Sequence, residues 1–311
     1  MKKLCLRRKG GSTGVQILVV GGTKFFGIPM IEDFLRDGHD VTIATRGKTQ
    51  DSFGDKVKRV IFDLSDYSSV EKAFKGKNLE YDMVVDKISY SSNEIKALLD
   101  SVQTRRFIHM STANVYKLDH YNIQEEEFSG DSGVIRWNDR MEASYEDNKR
   151  NAERVLCQYY KERSDDWVSV RYPVVLGKND YTGRLAFYVN RMINQRPMWI
   201  DNMDSRLCFI NEAEAGKFLS FISLSDYKGA INGASTGTIS ICEIIRYIEN
   251  KTGVKAIITK GGEPSPYNRI KNYSLSVNRA ENLGYQFSSI VSWIYDLIDS
   301  IIQESQRNIP K

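Results

Sequence analysis

Two side chains with complementary acid–base chemistry stand four residues apart in the middle of the chain, at Tyr145 and Lys149. Residues with this spacing lie on the same face of a helix, so the lysine ammonium is expected one turn from the phenol. A nearby cation favours the phenolate and lowers the pKa of tyrosine from its usual value of about 10. The pair therefore predicts a proton donor and acceptor that works near neutral pH. The alternative interpretation is an ordinary pair of neighbours on a helix.

A glycine-containing turn near the start of the chain predicts a dinucleotide-binding site. The apolar run 17–20 before it is typical of a buried parallel strand. The run after it predicts a helix with Ile28, Ile31 and Leu35 on one face. A strand, a tight turn and a helix direct backbone N–H groups and the positive end of the helix dipole at a diphosphate. A plain structural turn is the alternative. The predicted cofactor-binding residues of the turn are Gly21, Gly22, Thr23, Lys24, Phe25, Phe26 and Gly27.

The residues that follow the second predicted strand, 41–44, bear on the choice of cofactor. NAD-binding folds of this type usually place an acidic residue here, which binds the ribose 2′-hydroxyl. This chain has Thr45 at that position, and Arg46 comes next. An arginine suits a 2′-phosphate, because its guanidinium forms two charge-assisted hydrogen bonds with it. The sequence therefore favours NADP as the cofactor, with NAD as the alternative and a solvated surface charge as a second interpretation of Arg46.

Composition and charge set the broad class of the protein. The 311 residues are 41% hydrophobic and 27% charged, which suits one large or two modest globular domains. No apolar run approaches the roughly 18 residues of a membrane span, so no membrane partner is expected. The formal charge of +4 is too small to imply a nucleic-acid partner. Residues 1–14 are expected to form a flexible basic extension, for which an RNA- or membrane-attracting role stays open.

The cysteines and histidines give no sign of a metal site. The four cysteines and three histidines lie far apart and show none of the spacings typical of zinc ligands, so no metal is expected. The cysteine pattern also shows no disulfide framework, and the expected location is a reducing cytoplasm. His109 lies within an apolar strand pattern and is expected to have a structural role.

Four motifs, in order, make the chain resemble the extended branch of the short-chain dehydrogenase/reductase superfamily, which contains nucleotide-sugar epimerases, dehydratases and reductases. The motifs are G-G-T-K-F-F-G at 21–27, S-T-A-N-V-Y at 111–116, Y-x-x-x-K at 145–149 and R-Y-P-V-V-L-G at 171–177. The glycine turn is similar to that of a subgroup of bacterial epimerase-like proteins and chloroplast stem-loop-binding proteins, although Lys24 takes the place of the middle glycine. The resemblance covers nearly the whole chain from about residue 16.

The resemblance implies a fold and a domain organisation. The implied fold is α/β, a doubly wound parallel sheet of the Rossmann type with helices on both faces. The dinucleotide-binding domain is expected over residues 15–177, with later segments at about 207–250 returning to it. A smaller C-terminal substrate-binding domain is expected from residues 178–206 and 251–311. In that domain, the run 255–259 predicts a strand.

The resemblance also implies roles for individual residues. Thr112 is expected to hydrogen-bond the reacting oxygen, and Lys149 is expected to hold the nicotinamide ribose beside Tyr145. Lys24 lies where many NADP-dependent members of the superfamily carry a basic residue. For Arg184 and Arg206, a phosphate ligand and a plain surface charge are equal alternatives. Further cofactor contacts are implied for Asp63, Leu64, Tyr172 and Pro173, and substrate contacts for Asn114, Arg184 and Arg206.

The predicted activity is NAD(P)-dependent hydride transfer at a secondary alcohol or ketone of a nucleotide-linked sugar, either as net reduction or as a step of epimerisation. Two alternatives keep the same fold, a non-catalytic RNA-associated role and an NADP-sensing role. The intact Tyr145–Lys149 pair argues against the first, because a binding module has no need of a tuned phenol. The resemblance also offers the helices at 95–102 and after Tyr145 as the interface of a homodimer.

Overall fold

In the computed structural model of the protein, a seven-stranded parallel β-sheet organises the chain. The structure describes residues 14–307 except 78, 162, 164 and 165. The strands are β1 (Gln16–Val20), β2 (Asp40–Thr45), β3 (Lys58–Ile61), β4 (Glu80–Asp86), β5 (Gln103–Thr112), β6 (Asp166–Tyr172), β7 (Val174–Leu176), β8 (Met198–Trp199), β9 (Arg206–Leu207), β10 (Phe209–Asn211), β11 (Gly229–Asn232), β12 (Ile239–Ser240) and β13 (Glu263–Pro264). The main sheet has the order β3-β2-β1-β4-β5-β6-β11, and every pairing in it is parallel. The predicted doubly wound α/β fold is confirmed.

Helices cover both faces of this sheet. They are α1 (Gly27–Arg36), α2 (Tyr67–Phe74), α3 (Ser92–Ser101), α4 (Tyr145–Tyr160), α5 (Arg184–Ile193), α6 (Glu212–Ser223), α7 (Ile241–Thr252), α8 (Asn278–Asn282) and α9 (Ile294–Arg307). Alternate residues of β1 pack on opposite faces of the sheet. Ile17 and Val19 belong to the core that contains α1 and α6, whereas Leu18 and Val20 belong to the core that contains α2, α3 and α4. Burial on both faces explains why this strand is apolar throughout.

The strand register brings the candidate site residues to one edge of the sheet. Val20, the last residue of β1, pairs with Ala44 on β2 and with Asp86 on β4. The segments that follow these three strands therefore leave the sheet side by side. On the next strands, Thr112 at the end of β5 pairs with Tyr172 at the end of β6.

The structure refines one local prediction and corrects another. The residues of α1 that are fully buried are Met30, Ile31 and Phe34, whereas Ile28 and Leu35 are only partly buried. The buried stripe is displaced because α1 packs against α6 as well as against the sheet. The strand predicted at 255–259 is absent from this described segment apart from one bridge, between Ile258 and Met198. The two-residue strand β8 offers too short an edge for a longer ladder.

The long connection between β5 and α4 lies across α3 and α4. Ser92 of α3 donates a 2.9 Å hydrogen bond to the carbonyl oxygen of Arg136, and Asn148 of α4 donates a 2.8 Å bond to the carbonyl oxygen of Arg140. This segment therefore covers part of the two helices that were offered as a dimer interface. The homodimer stays a prediction.

Three further predictions concern the N-terminal extension, a membrane-spanning helix and a metal site. Apart from Gly14, the predicted basic extension of residues 1–14 lies outside the described residues. Among the helices of the described part, none has the length and apolar character needed to cross a membrane. Within the same residues, no group of three or more His, Cys, Asp or Glu side chains is placed to hold a metal ion.

Candidate active site

A groove of about 950 Å³ opens at the carboxyl ends of β1, β2, β3 and β4. In doubly wound sheets this edge holds the ligand, at the point where the strand order reverses. The glycine turn forms the middle of the groove, and the segment 87–90 after β4 forms part of its wall. The predicted cofactor residues that line it are Gly21, Gly22, Thr23, Lys24, Arg46, Asp63 and Leu64, while Phe25, Phe26 and Gly27 are buried in the same turn.

Close packing explains why the turn contains three glycines. Gly21 and Gly22 have φ angles of 91° and 95°, which strain any residue with a side chain. A Cβ atom on Gly27 would lie 2.6 Å from the Cα of Gly22, so the first turn of α1 packs directly on the glycine turn. Phe25 also has a positive φ angle, 56°, which is uncommon for a residue other than glycine. The turn thus presents the start of α1 to the groove, an arrangement that suits a diphosphate.

Two cations stand at the part of the groove beside β2. Lys24 and Arg46 are both exposed, and neither forms an ion pair or a side-chain hydrogen bond within the described part of the chain. Asp63 lies close by, and hydrogen bonds from Ser65, with a smaller contribution from the charge of Arg46, lower the pKa of its carboxyl group. Both cations are therefore available to a phosphate group of a ligand.

The Tyr145–Lys149 pair occupies the first turn of α4. Ser144 caps this helix, and Tyr145 is its first residue. Lys149, one turn further on, is fully buried between α4 and the sheet. Its ammonium donates hydrogen bonds of 2.7 Å to the carbonyl oxygens of Ser89 and Met110. The lysine is thus fixed to the segments at the ends of β4 and β5.

Burial dominates the pKa values of this pair. It lowers the pKa of Lys149 to about 8, against the opposing effect of the Asp86 carboxylate. It raises the pKa of Tyr145 to about 12, because the phenol oxygen is enclosed although 40% of the residue is exposed, and a hydrogen bond with Thr112 acts in the opposite direction. The expectation that the lysine lowers the tyrosine pKa is therefore wrong for this structure. The reason is that burial of the phenol outweighs the effects that lower its pKa.

Thr112 and Asn114 lie beside Tyr145 at the end of β5. The hydroxyl of Thr112 accepts a 3.2 Å hydrogen bond from the backbone N–H of Asn114 and so caps the short helical turn that follows. The Asn114 side chain lies 3.4 Å from the carboxylate of Glu146 on the first turn of α4. The structure therefore brings Thr112, Asn114 and Tyr145 to one corner, which adjoins the groove through Tyr90, a residue of its wall.

Two residues without a recognisable motif complete this corner. The ring of Tyr90 lies 5.5 Å from the ring of Tyr145, and the Lys149 ammonium lies 4.9 Å from the centre of the Tyr90 ring. The guanidinium of Arg140 lies 4.2 Å from the same ring and forms a 2.9 Å ion pair with Glu94. The signal for Tyr90 was an aromatic residue shortly after β4. Arg140 lies in a polar connection whose local pattern carries no signal.

A buried polar layer lies behind Lys149. His109 of β5 lies 2.9 Å from the carboxylate of Asp86, and both side chains are fully buried, as expected for a structural histidine. Arg171 of β6 binds Glu153 of α4 through two contacts, of 3.0 and 2.5 Å. Burial alone would raise the pKa of Glu153, but the charge and the hydrogen bonds of Arg171, with smaller contributions from Ser111 and His109, together lower it. The ion pair fixes α4 on the sheet and thereby positions the residues of its first turn.

The residues predicted behind the nicotinamide lie in a packed layer next to the turn. Tyr172 is buried, its ring lies 6.0 Å from the ring of Phe26, and its hydroxyl donates a 2.7 Å hydrogen bond to the carbonyl oxygen of Ala215. Pro173 is buried next to it in the chain. Tyr172 therefore supports the turn from behind.

The two predicted arginines differ in position. Arg184 is the exposed first residue of α5, and its charge is close enough to act on the pKa values of Tyr145 and Tyr90. Arg206 lines a separate cavity of about 650 Å³ and forms a 2.8 Å ion pair with Glu243. The guanidinium of Arg206 is thus already bound to a protein carboxylate, and its role as a phosphate ligand stays a prediction.

Comparison with known proteins places the chain in a family. The model of the "NAD dependent epimerase/dehydratase family" matches residues 17–201. A curated relative, the chloroplast stem-loop binding protein of 41 kDa b from Arabidopsis thaliana, is 23% identical over 271 residues. That alignment covers 82% of this chain and 65% of the relative, so the chain spans less than two thirds of the relative's length.

Solved structures of low sequence identity share the fold. A UDP-glucose 4-epimerase from Thermus thermophilus, in complex with NAD, is 17% identical, with 94% of this chain and 99% of that chain covered and a TM-score of 0.65. A UDP-glucose 4-epimerase from Thermotoga maritima, with UDP-glucose, is 12% identical, with 94% and 99% covered and a TM-score of 0.72. The family match covers more than half of the chain and contains the glycine turn and the whole of α4. The chain belongs to the NAD dependent epimerase/dehydratase family, and the predicted epimerase-type enzyme is confirmed at that level.

Proposed function

We propose that the chain catalyses NAD(P)-dependent reduction or epimerisation at a secondary alcohol or ketone of a nucleotide-sugar-like substrate. The observation that carries this proposal is the position of Thr112, Tyr145 and Lys149 beside Tyr90, a residue that lines the groove of the glycine turn. A bound nicotinamide supplies or accepts the hydride. The side chains of this corner handle the proton and hold the reacting groups.

Tyr145 is the proposed proton donor and acceptor. With a pKa of about 12, its phenol is protonated at neutral pH, which suits donation to an alkoxide that forms during reduction. Thr112 is the second proposed hydrogen-bond donor to the same oxygen. In the opposite direction the phenolate is needed, and the positive charge of Arg184 already acts to lower the tyrosine pKa.

Lys149 is the proposed ligand of the nicotinamide ribose. An ammonium has three N–H donors, and two of them are bound to the carbonyl oxygens of Ser89 and Met110. The third donor is left for a ribose hydroxyl. Because its other two bonds hold it to the strand ends, the lysine is preorganised for this contact.

NADP is the proposed cofactor, with NAD as the alternative. Lys24 and Arg46 are exposed cations of the groove without a protein anion bound to them among the described residues. Thr45 stands where an acidic residue would select the ribose 2′-hydroxyl of NAD. The alternative is supported by the relative from Thermus thermophilus, whose structure contains NAD.

The proposed substrate is a nucleotide sugar, bound beside Tyr145 in the region of Asn114 and Arg184. Arg184 is the proposed phosphate ligand, since its guanidinium forms no ion pair with a described residue, whereas Arg206 is bound to Glu243. The relative from Thermotoga maritima was solved with UDP-glucose, which supports this class of substrate.

The same proposal includes two domains, with residues 15–177 and about 207–250 binding the dinucleotide, and 178–206 and 251–311 binding the substrate. Two contacts support the return of the later segment. Strand β11 extends the main sheet beside β6, and helix α6 packs on α1.

One experiment tests the proposed activity against the alternatives. Protein from a gentle purification is analysed by mass spectrometry for retained small molecules and is then incubated with NADPH or NAD and a panel of UDP-, GDP- and dTDP-sugars. Product formation that requires Tyr145 is expected. Cofactor retention without any turnover would favour the sensor, and retention of RNA alone would favour the RNA-associated role.

A further inference from the structure

Lys87 is a cation of the groove to which neither motif nor proposed mechanism gives a role. It follows β4 directly, and its backbone N–H donates a 3.0 Å hydrogen bond to the carbonyl oxygen of Val20, just before the glycine turn. Its ammonium lies 4.0 Å from the centre of the Phe26 ring. Phe26 is the N-cap residue of α1. The charge of Lys87 therefore lies where the turn meets the start of this helix.

The ammonium of Lys87 has no anionic partner in the described part of the chain. The nearest acidic residue in the sequence, Asp86, is bound to His109 and to backbone N–H groups. Glu94, which also lines the groove, is bound to Arg140. Only the face of an aromatic ring compensates for the loss of water around the lysine charge.

Burial without a counter-charge is unfavourable for a cation. Lys87 as a whole is half-buried, and the enclosure of its ammonium lowers its pKa to about 8, so at neutral pH the side chain still carries its charge. An anion in the groove would relieve this unfavourable burial. The arrangement is therefore typical of a binding residue that is complete only when its ligand is present.

The position of Lys87 indicates which anionic group of a bound dinucleotide lies near its ammonium. Arg46 follows β2 and Lys87 follows β4, so they lie on opposite sides of β1 and of its turn. Arg46 is placed for the ribose of the adenosine, whereas Lys87 lies at the N-terminus of α1, which attracts a diphosphate. We propose that the Lys87 ammonium binds the diphosphate of the dinucleotide held at the glycine turn, an inference that rests on the proposed dinucleotide site.

Three ligands and three variants test this inference by isothermal titration calorimetry. NADPH and ADP-ribose contain the diphosphate, and ADP-ribose lacks the nicotinamide, whereas adenosine 2′-phosphate lacks the diphosphate. Lys87→Met is expected to weaken both NADPH and ADP-ribose by about tenfold, equivalent to about 1.4 kcal/mol, and to leave adenosine 2′-phosphate unchanged. Lys87→Arg keeps the charge and is expected to retain most of the affinity. The matched control is Lys96→Met, because Lys96 also lines the groove but is paired with Asp100.

The outcomes separate this inference from the proposed function. Unchanged binding of ADP-ribose by Lys87→Met overturns the inference, and a loss confined to NADPH assigns Lys87 to the nicotinamide half instead. An equal loss for adenosine 2′-phosphate shows damage to the whole groove and also overturns it. If the unaltered protein binds neither NADPH nor ADP-ribose, the dinucleotide site itself falls. The melting temperature of unliganded Lys87→Met is expected to equal or exceed that of the unaltered protein, because an unpaired buried cation has been removed.

Discussion

The ammonium of Lys149 donates a 2.7 Å hydrogen bond to the carbonyl oxygen of Met110, two residues before Thr112 on β5. A bond of equal length to the carbonyl oxygen of Ser89 ties the same ammonium to the segment after β4. One buried side chain therefore holds the first turn of α4 against two strand ends. Tyr145, at the start of that turn, takes its position from these contacts.

The free energy of unfolding is predicted to rise with pH because of this buried lysine. The pKa of Lys149 is about 8 in the folded chain, against 10.5 for a solvated lysine. Between these values the unfolded chain binds a proton that the folded chain has lost, so raising the pH favours the folded state. From about pH 7.5 to about pH 9.5, Lys149 contributes a gain of about 2 kcal/mol. Urea unfolding at both pH values measures it.

The matched comparison for this prediction is Lys149→Met against Lys96→Met. Lys149→Met is expected to lose its share of the gain and to keep the part that comes from Lys87, whose pKa is also lowered to about 8. Lys96→Met is expected to retain the full gain, because the Asp100 carboxylate raises the pKa of Lys96. Equal pH dependence of the unaltered protein and Lys149→Met would contradict the assignment.

Tyr145→Phe is predicted to remove most turnover while the fold and the cofactor affinity stay intact. The substitution deletes only the ionisable oxygen, and general acid–base groups typically contribute about 10²- to 10⁴-fold to the rate. The measurement is kcat on the true substrate together with the Kd for the cofactor. Lys149→Met is expected to damage both quantities, because the ammonium holds the first turn of α4, with Tyr145, in position and is the proposed ligand of the nicotinamide ribose. Turnover of Tyr145→Phe at the unaltered rate would refute the proposed proton-transfer role.

Arg46→Ala is predicted to weaken NADP binding by at least about tenfold and to leave NAD binding nearly unchanged. A charge-assisted contact with the 2′-phosphate contributes about 1.5–3 kcal/mol, and NAD lacks that phosphate. Calorimetric titration of both cofactors is the measurement. Equal losses for NADP and NAD, or tighter binding of NAD by the unaltered protein, would show that the cofactor preference is for NAD.

Arg171→Met is predicted to destabilise the fold by about 3–5 kcal/mol, because it leaves the buried carboxylate of Glu153 without its counter-charge. The double variant Arg171→Met/Glu153→Leu removes both charges and is expected to recover a large part of this loss. Urea unfolding of the two single variants and the double variant gives the coupling energy of the pair. A coupling energy near zero would mean that the ion pair does not hold α4 on the sheet.

Local sequence patterns predicted those strands and turns in which the pattern of residue types agrees with the burial of the residues in the structure. Residues 17–20 are apolar because β1 is buried on both faces, and the turn after it needs glycine at Gly21 and Gly22 because both φ angles are positive. The order of the four family motifs along the chain was enough to predict the doubly wound sheet. The prediction of a strand at 255–259 was wrong, because the pairing of this segment depends on a distant two-residue strand that no local pattern reports.

The sequence predicted only those residues of the candidate site that belong to a recognisable motif. Tyr90 comes from a segment remote from Tyr145 in the sequence, and its contacts with Tyr145 and with Arg140 are a product of the tertiary fold. The raised pKa of Tyr145 was missed because it comes from burial of the phenol, which spacing on a helix does not report. Spacing on a helix places Lys149 one turn away, but only the structure shows that its ammonium is bound to two carbonyl groups.

The last prediction is that the protein removes no water from nucleotide hexoses, and it separates branches of the family. A 4,6-dehydratase needs an acid and a base beside the reacting hydroxyl, and the dehydratases of the superfamily that the chain resembles usually supply them as Asp-Glu directly after the threonine. Here the positions are Ala113 and Asn114. Alanine cannot transfer a proton, and an asparagine amide has no useful acid–base pKa near neutrality.

The structure also shows which nearby carboxyl groups are free to replace the missing acid of a dehydratase. Glu125 is buried, and its carboxylate accepts a 3.0 Å hydrogen bond from the backbone N–H of Asn232, so it is not free for catalysis. Glu146 is nearer, with its carboxylate 3.4 Å from the Asn114 amide. The check is to incubate the protein with common nucleotide sugars and NAD or NADP, and to search by mass spectrometry for a product lighter by one water. No such product is expected. If one forms and Glu146→Gln abolishes it, the carboxylate beside Asn114 supplies the proton, and the assignment to a reductase or epimerase branch falls.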